Sequence, residues 1–219
     1  MINKGYSIHS QFGEDGILQY LIETLNLTNK QSCEFGMSGI IFSNTFNLVE
    51  NYNWFGVYIE RNNIELPKNL NIHLFNKEVE ASGLNSLDNI LKETKLDKCF
   101  DILSIDIDNK DYHIWNSLED YEPNIVIIEI NPFLNFDEEY INDGTKFSSS
   151  FKSTVNLATK KGYSLVCMSG NLIFVKRELL AGTELEKYIT SNPNDLFLND
   201  AIMVTDRQIS FKRFRAKII

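Results

Sequence analysis

Three short apolar segments of this chain, residues 31–40, 57–60 and 100–108, each contain or end in an acidic residue or a glycine turn. Strands of a buried parallel sheet have such continuous apolar sequences, because helices cover both faces of the sheet. Open α/β sheets bind their ligands at the carboxyl ends of the strands. Carboxylates and glycines delivered together to that edge predict a ligand rich in hydroxyl and amino groups.

The length and charge of the chain restrict its class. Its 219 residues are enough for one well-buried core, and contents of 43% hydrophobic and 23% charged residues are typical of a globular protein. The net charge of −9 argues against nucleic acid as a partner, because a phosphate backbone requires a basic surface. We therefore expect a single domain, residues 1–219, with a small-molecule partner.

The expected location is the cytoplasm. No apolar run approaches the ~20 residues that a membrane span requires, and the N-terminus lacks the apolar core of a signal peptide. The three cysteines, Cys33, Cys99 and Cys167, are far apart and lie in strand-like segments. Buried free thiols in a reducing compartment explain them better than metal binding or disulfide pairing.

Helix and strand patterns alternate along the chain. Strands are predicted at residues 32–35, 55–60, 72–79, 100–106 and 124–130, and helices at 15–27, 46–52, 85–95, 112–118 and 151–161. Residues 163–168 and 171–176 are predicted to form a β-hairpin around a Ser-Gly turn. The alternation predicts an α/β fold, in which a mostly parallel, doubly wound sheet ends in an antiparallel C-terminal hairpin. Residues 1–30 would form an N-terminal helical cap.

Four segments resemble motifs of the class I S-adenosylmethionine-dependent methyltransferases, and the FkbM-like branch most closely: residues 10–17, 34–39 with 43–45, 54–60 and 101–115. Residues 161–177 resemble the closing hairpin of that fold. The resemblance covers roughly residues 7–178 and rests on the order and spacing of the motifs. It implies a Rossmann-like methyltransferase fold and S-adenosylmethionine as the cofactor.

The resemblance also implies the cofactor-binding residues: Gln11, Glu34, Gly36, Gly39, Glu60, Glu80 and Asp106. Gly36 and Gly39 match the turn that receives the methionine end, where glycines allow close backbone approach. Glu60 matches the acid that binds both ribose hydroxyls. The glycine turn is one residue shorter than the family pattern and lacks its third glycine. A turn that serves only backbone geometry, and a solvated Glu60 beside Arg61, are the alternatives.

Acidic residues at two strand ends predict a divalent cation. Asp106 and Asp108 share one side of a strand end, and Glu129 with Asn131 repeats this spacing on the neighbouring strand. Asp106, Glu129 and Asn131 would hold Mg²⁺ or Mn²⁺, since hard cations prefer oxygen ligands. The alternative is that Asp106 contacts the cofactor and the other residues cap the next helix. An EF-hand calcium loop is excluded, because its fifth, sixth and twelfth positions lack the residues that this motif requires.

Together with Asp106, His113 is the predicted catalytic residue. An imidazole suits proton transfer near neutral pH, although a structural histidine is the alternative. Residues 131–150 form a candidate substrate lid, with aromatic side chains at Phe133, Phe136, Tyr140 and Phe147. The basic tail at Lys212, Arg213 and Arg215 would neutralise a phosphate on the acceptor or form a solvated terminal element.

The resemblance implies an O-methyltransferase that acts on a sugar hydroxyl of a capsule-type surface polysaccharide or other glycan precursor, and we expect a nucleotide-linked or phosphorylated acceptor. Homo-oligomerisation is left open. An NAD-dependent sugar-modifying enzyme is the first alternative, although the sequence has no Tyr-x-x-x-Lys pair and no Gly-x-Gly-x-x-Gly motif. A non-catalytic module that binds a nucleoside ligand is the second.

Overall fold

A computed structural model describes residues 1–37 and 39–196 of the protein. The strands are β1 (Gln31–Phe35), β2 (Phe55–Ile59), β3 (Ile72–Phe75), β4 (Ile102–Ile105), β5 (Ile125–Ile128), β6 (Tyr163–Met168) and β7 (Leu172–Lys176). The helices are α1 (Glu14–Thr24), α2 (Phe46–Tyr52), α3 (Leu87–Leu91), α4 (Asp111–Ser117), α5 (Phe151–Lys160) and α6 (Arg177–Leu180), with 3₁₀ turns at Ile2–Lys4 and Glu186–Ile189.

The seven strands form one sheet in the order β3-β2-β1-β4-β5-β7-β6. All neighbours from β3 to β5 pair in parallel, whereas β7 runs antiparallel to both β5 and β6. This confirms the predicted α/β class, with a mostly parallel sheet and an antiparallel hairpin at its C-terminal end. The architecture is compatible with a Rossmann-like fold.

The sheet carries a hydrophobic core on each face, and the central strand β5 is apolar at every position. In β5, Val126 and Ile128 pack on one face, whereas Ile125 and Ile127 pack on the other. Buried side chains of α3, α4 and α5 cover the first face, and those of α1, α2 and α6 cover the second. This two-sided burial explains the continuous apolar runs of the sequence.

Several elements are shorter than their sequence patterns predict. β3 ends at Phe75 instead of residue 79, because it pairs only with β2 at the edge of the sheet and the chain then turns back over the strand ends. β4 and β5 end at Ile105 and Ile128, one residue before an acidic side chain. The carboxylates Asp106 and Glu129 therefore stand just beyond the sheet.

The N-terminal cap is held by an acidic residue of α1. One carboxylate oxygen of Asp15 accepts hydrogen bonds from the backbone N–H groups of Ile8, His9 and Ser10 and from the Ser10 hydroxyl, at 2.7–3.0 Å. The neighbouring Glu14 accepts from Phe12 N and from Ser169 Oγ in the β6–β7 turn. The cap is therefore part helix and part ordered loop, and it contacts the strand ends.

The cysteine prediction is correct for Cys33 and Cys167, which are buried free thiols, but Cys99 is exposed in the loop before β4. In the parts of the chain that the structure describes, no helix combines the length and apolarity needed to cross a bilayer.

Candidate functional site

An open cleft of about 170 Å³ lies at the carboxyl ends of β1, β2 and β4. It occupies the point where the strand order reverses between β1 and β4, which is where open α/β sheets bind ligands. Its walls include three residues that the sequence predicted as cofactor-binding: Gly36, Glu60 and Asp106. The apolar residues that line the cleft are Phe35, Ile59, Val79 and Ile107, and the cationic ones are Arg61, Lys77 and Lys110.

Gly36 is required by the close approach of β1 to β4. Its φ of +88° is a conformation that L side chains rarely adopt, and a Cβ built there would lie 1.6 Å from the carbonyl oxygen of Asp106. That neighbour is backbone, so it cannot move aside cheaply. Gly36 therefore has the role in backbone geometry that was the alternative to cofactor binding in the sequence analysis. It also lines the cleft.

A Gly36→Ala substitution should destabilise the protein by ~2 kcal/mol or more beyond the ~1–2 kcal/mol cost of a left-handed L residue, because the strand ends must separate. Gly162 is the matched control, since its φ is +87° and a Cβ added there would meet no atom within 4 Å. Urea unfolding measures both variants. Equal losses for Gly36→Ala and Gly162→Ala would contradict the proposed backbone clash.

Glu60 is a buried carboxylate with spare acceptor capacity. Its side chain is at the end of β2 and the residue is 6% exposed, which argues against the solvated acid considered above. Oε1 accepts one hydrogen bond, from Asn62 N at 3.2 Å, and no ion pair to Glu60 exists within the described residues. The carboxylate can therefore accept further hydrogen bonds from a ligand in the cleft.

Glu80 lies beside the cleft, but its carboxylate is already paired. Lys110 contacts Glu80 at 2.7 Å and Glu78 at 3.1 Å across the rim. These pairs are partly exposed, so each contributes little to stability. The predicted contact of Glu80 with adenine would require that pair to open or to be shared.

Glu34, Gln11 and Gly39 do not line the cleft. The buried Glu34 carboxylate accepts hydrogen bonds from the residues that begin α2: Ser43 Oγ, Asn44 N, Thr45 N and Thr45 Oγ1. Ser43 Oγ in turn accepts from the N–H group of Phe46, the first residue of α2. Burial raises the pKa of Glu34. The structure thus gives Glu34 a positioning role beneath the glycine turn.

Asp106 and Glu129 stand side by side at the sheet edge. Ile105 pairs with Ile128 in the parallel register, and Glu129 N donates to Ile105 O at 3.1 Å, so the two acids follow directly on neighbouring strands. Burial raises the pKa of Asp106 to about 7, and the charge of Asp111 adds to it. Burial and the charge of Asp106 raise the pKa of Glu129 to about 9. The register thus brings together two of the three predicted metal ligands.

Asp111 and Glu14 join this pair, and the sequence did not single out Asp111 as a site residue. Asp111 is buried at the start of α4; its Oδ1 accepts from Ile107 N at 2.8 Å, but its Oδ2 has no hydrogen-bond partner within the described residues. Burial raises the pKa of Glu14 to about 7. None of the four acids forms an ion pair in residues 1–37 or 39–196.

The third predicted metal ligand is already engaged in the lid segment. Asn131 Oδ1 accepts from Phe133 N at 2.9 Å, and Asn131 Nδ2 donates to the carbonyl oxygen of Phe147. Over the described residues, no group of three or more His, Cys, Asp or Glu side chains is placed to hold a metal ion. The metal site therefore stays a prediction.

His113 contacts the lid segment and does not line the cleft. Its Nε2 donates to the carbonyl oxygen of Asn142 at 2.7 Å, so this nitrogen carries a proton. The predicted role as a base would therefore fall to Nδ1. The observed contact matches the structural alternative for this histidine.

Residues 131–150 fold over the end of β5 and are held to the cleft at Ser148. The Ser148 N–H and hydroxyl both donate to the carbonyl oxygen of Asp108, at 2.9 and 2.7 Å, and Ser148 Oγ lies 3.3 Å from Glu129 Oε2. Among the predicted stacking residues, Phe133 is 90% exposed, whereas Phe136 packs against the core. The basic tail at Lys212, Arg213 and Arg215 lies outside the described residues.

The raised pKa of Glu129 predicts a pH-dependent stability. An unfolded glutamate has a pKa of ~4.3, so the folded protein retains a proton that the unfolded chain releases, and the free energy of unfolding falls as pH rises from there to about 9. Asp106, Asp108 and Asp111 are the charges that act on Glu129.

Glu129→Gln should therefore be more stable than the native protein at about pH 8, with a smaller gain at about pH 5. Thermal unfolding at both pH values measures the difference. Glu139→Gln, an exposed acid of the lid segment, removes the same charge as a control. A gain for Glu129→Gln that does not depend on pH would contradict the assigned pKa.

Comparison of the chain with protein-family models, with curated proteins and with solved structures gives no match in any of the three searches. The function must therefore be argued from the cleft and the acidic residues themselves.

Proposed function

We propose that this protein is an S-adenosylmethionine-dependent O-methyltransferase that acts on a sugar hydroxyl of a surface-polysaccharide or other glycan precursor. The observation that carries the proposal is Glu60, a buried carboxylate with spare acceptor capacity in a cleft at the reversal point of the sheet. The antiparallel C-terminal hairpin, which the methyltransferase resemblance implies, supports it. The proposal includes a cytoplasmic location and a nucleotide-linked acceptor.

The cleft residues divide naturally into roles for such a cofactor. Glu60 would accept hydrogen bonds from the ribose hydroxyls, and the apolar side chains Ile59, Val79 and Ile107 would contact the adenine. Asp106 and the backbone around Gly36 would receive the methionine end. When bound, the cofactor supplies an electrophilic methyl group on a sulfonium, and the protein has to orient the acceptor in line with it.

The acceptor hydroxyl also needs a group that takes its proton, because an alcohol is a weak nucleophile. Asp106, with a pKa raised to about 7, is close to the pH at which a general base works best. His113 would act through Nδ1 only after the lid segment moves, since Nε2 is held by Asn142. We therefore propose Asp106 as the general base and His113 as the alternative.

Glu60→Ala should weaken binding of S-adenosylhomocysteine by ~1–3 kcal/mol, because the ribose hydroxyls lose a charged hydrogen-bond acceptor. Glu65→Ala removes the same charge from an exposed residue five positions away and should bind like the native protein. Isothermal titration calorimetry with S-adenosylhomocysteine, and with NAD in parallel, measures both variants.

The titration separates the three functions under consideration. Binding of S-adenosylhomocysteine that depends on Glu60 supports the methyltransferase. Binding of NAD alone would favour the NAD-dependent enzyme, and binding of S-adenosylhomocysteine without transfer to any acceptor would favour a binding module. Equal affinities for Glu60→Ala and Glu65→Ala would remove Glu60 from the cofactor site.

His113→Ala should retain at least about a tenth of the methyl-transfer rate if Asp106 is the principal base, because general bases contribute roughly 10²–10⁴-fold. The assay uses labelled S-adenosylmethionine with a panel of nucleotide-sugars, free sugars, catechols and amines. Loss of more than about a hundredfold in kcat, with unchanged thermal stability, would instead make His113 the base. Transfer confined to catechols or amines would refute the sugar acceptor.

A further inference from the structure

A second cavity lies at the opposite edge of the sheet from the cleft. It has a volume of about 140 Å³ and is lined by residues of α5, of the start of β6 and of the 3₁₀ turn Glu186–Ile189. Because β7 runs antiparallel to both β5 and β6, β6 points in the same direction as the parallel strands, and its first residues lie at their amino ends. The cavity is therefore separate from the cleft, which lies at the carboxyl ends.

A partly buried arginine without a counter-charge lines this cavity. Arg177 forms no ion pair in residues 1–37 and 39–196. Its one side-chain hydrogen bond within those residues runs from Nε to Ser164 Oγ, at 3.3 Å. Both Nη groups therefore keep their N–H donors for a ligand. A charge that is withdrawn from water without a partner is unfavourable, and an anion in the cavity would compensate it.

The other polar groups of the cavity favour an anion as well. Ser164 is 7% exposed, and because its oxygen accepts from Arg177, its own hydroxyl proton is available for a ligand. Thr159 supplies a second hydroxyl group. No aspartate or glutamate among the described residues lines the cavity, although the whole chain has 30 acidic and 21 basic residues. A cavity with one cation and no acid, in so acidic a protein, is complementary to a negative charge.

The charge and walls of the cavity restrict the anion to a small monocarboxylate with an apolar body. One guanidinium matches the single charge of a carboxylate and can bind both of its oxygens, whereas a phosphate monoester carries about 1.5 to 2 negative charges at pH 7. Leu165 and Phe174, which are buried in the core, form an apolar wall with Val155 and Ile189. An apolar cavity of roughly this size holds a benzene ring.

We propose that this cavity is a second ligand site, which binds an aromatic or short aliphatic monocarboxylate through a bidentate contact with the Arg177 guanidinium and a hydrogen bond from the Ser164 hydroxyl. The site goes beyond the proposed methyltransferase function and does not depend on it, because no residue that lines the cavity also lines the cleft.

Calorimetric titration of the full chain tests the proposal, in about 0.15 M salt so that long-range attraction is screened. The probes are benzoate, phenylacetate and 4-methylpentanoate, each compared with its neutral amide, together with acetate and phenyl phosphate. At least one of the three carboxylates should bind about tenfold or more tightly than its amide, because hydrogen bonds to charged groups are strong. Acetate should bind more weakly than that carboxylate, because it lacks the apolar body.

Three variants assign the effect to the guanidinium. Arg177→Gln should reduce the affinity of the carboxylate to the level of its amide. Lys160→Gln removes the same charge from an exposed residue next to Thr159 and should bind like the native protein. Arg177→Lys keeps the charge but loses the planar fork, so it should bind several-fold more weakly than the native protein. Thermal melts establish that each variant is folded, and if Arg177→Gln is not, the comparison of Arg177→Lys with Lys160→Gln decides.

The results that would overturn the inference are equally specific. They are equal affinities of the native protein for every carboxylate and its amide, equal affinities of the Arg177 and Lys160 variants, and tighter binding of phenyl phosphate than of benzoate. Competition between the carboxylate and S-adenosylhomocysteine would place the carboxylate in the cleft and overturn it too. Failure of S-adenosylhomocysteine to bind the native protein would instead count against the proposed function alone.

Discussion

The contact between the ends of β1 and β4 is the constraint on which the site depends. Gly36 lies so close to the carbonyl oxygen of Asp106 that no side chain fits between them. This approach brings the Asp106 loop against the cleft at the point where the strand order reverses. Glu34 supports the same region from below by holding the start of α2. The cleft is therefore shaped mainly by backbone geometry.

Much of the sheet was predictable, because each central strand carries its own local signal. Apolar runs marked β2, β4 and β5, and the acids beyond them marked their carboxyl ends, whereas a glycine turn marked the end of β1. The proximity of Asp106 and Glu129 followed from the rule that parallel strand ends meet at one edge. The partners of Glu34, Asn131 and His113 were not predictable, since they are backbone and hydroxyl groups of loops without periodicity.

The acidic residues at this edge of the sheet are unfavourable for the stability of the fold. Burial raises the pKa of Asp106, Glu129 and Glu14, so each carboxylate is held where its charged form is unfavourable. Helix caps and rim pairs elsewhere in the chain satisfy their charges locally, as Lys110 does for Glu78. Uncompensated buried acids gathered at one sheet edge are more typical of functional sites than of stabilising networks.

The carbonyl oxygen of Asp108 connects the cleft to the lid segment. Asp108 lines the cleft, and the same residue accepts both hydrogen bonds from Ser148 that hold the lid segment in place. Both residues have positive φ angles, 71° for Asp108 and 41° for Ser148, a conformation that few residues other than glycine adopt. The 106–110 loop and the lid segment therefore share one pair of hydrogen bonds, so a displacement of either segment has to break this pair or move the other segment with it.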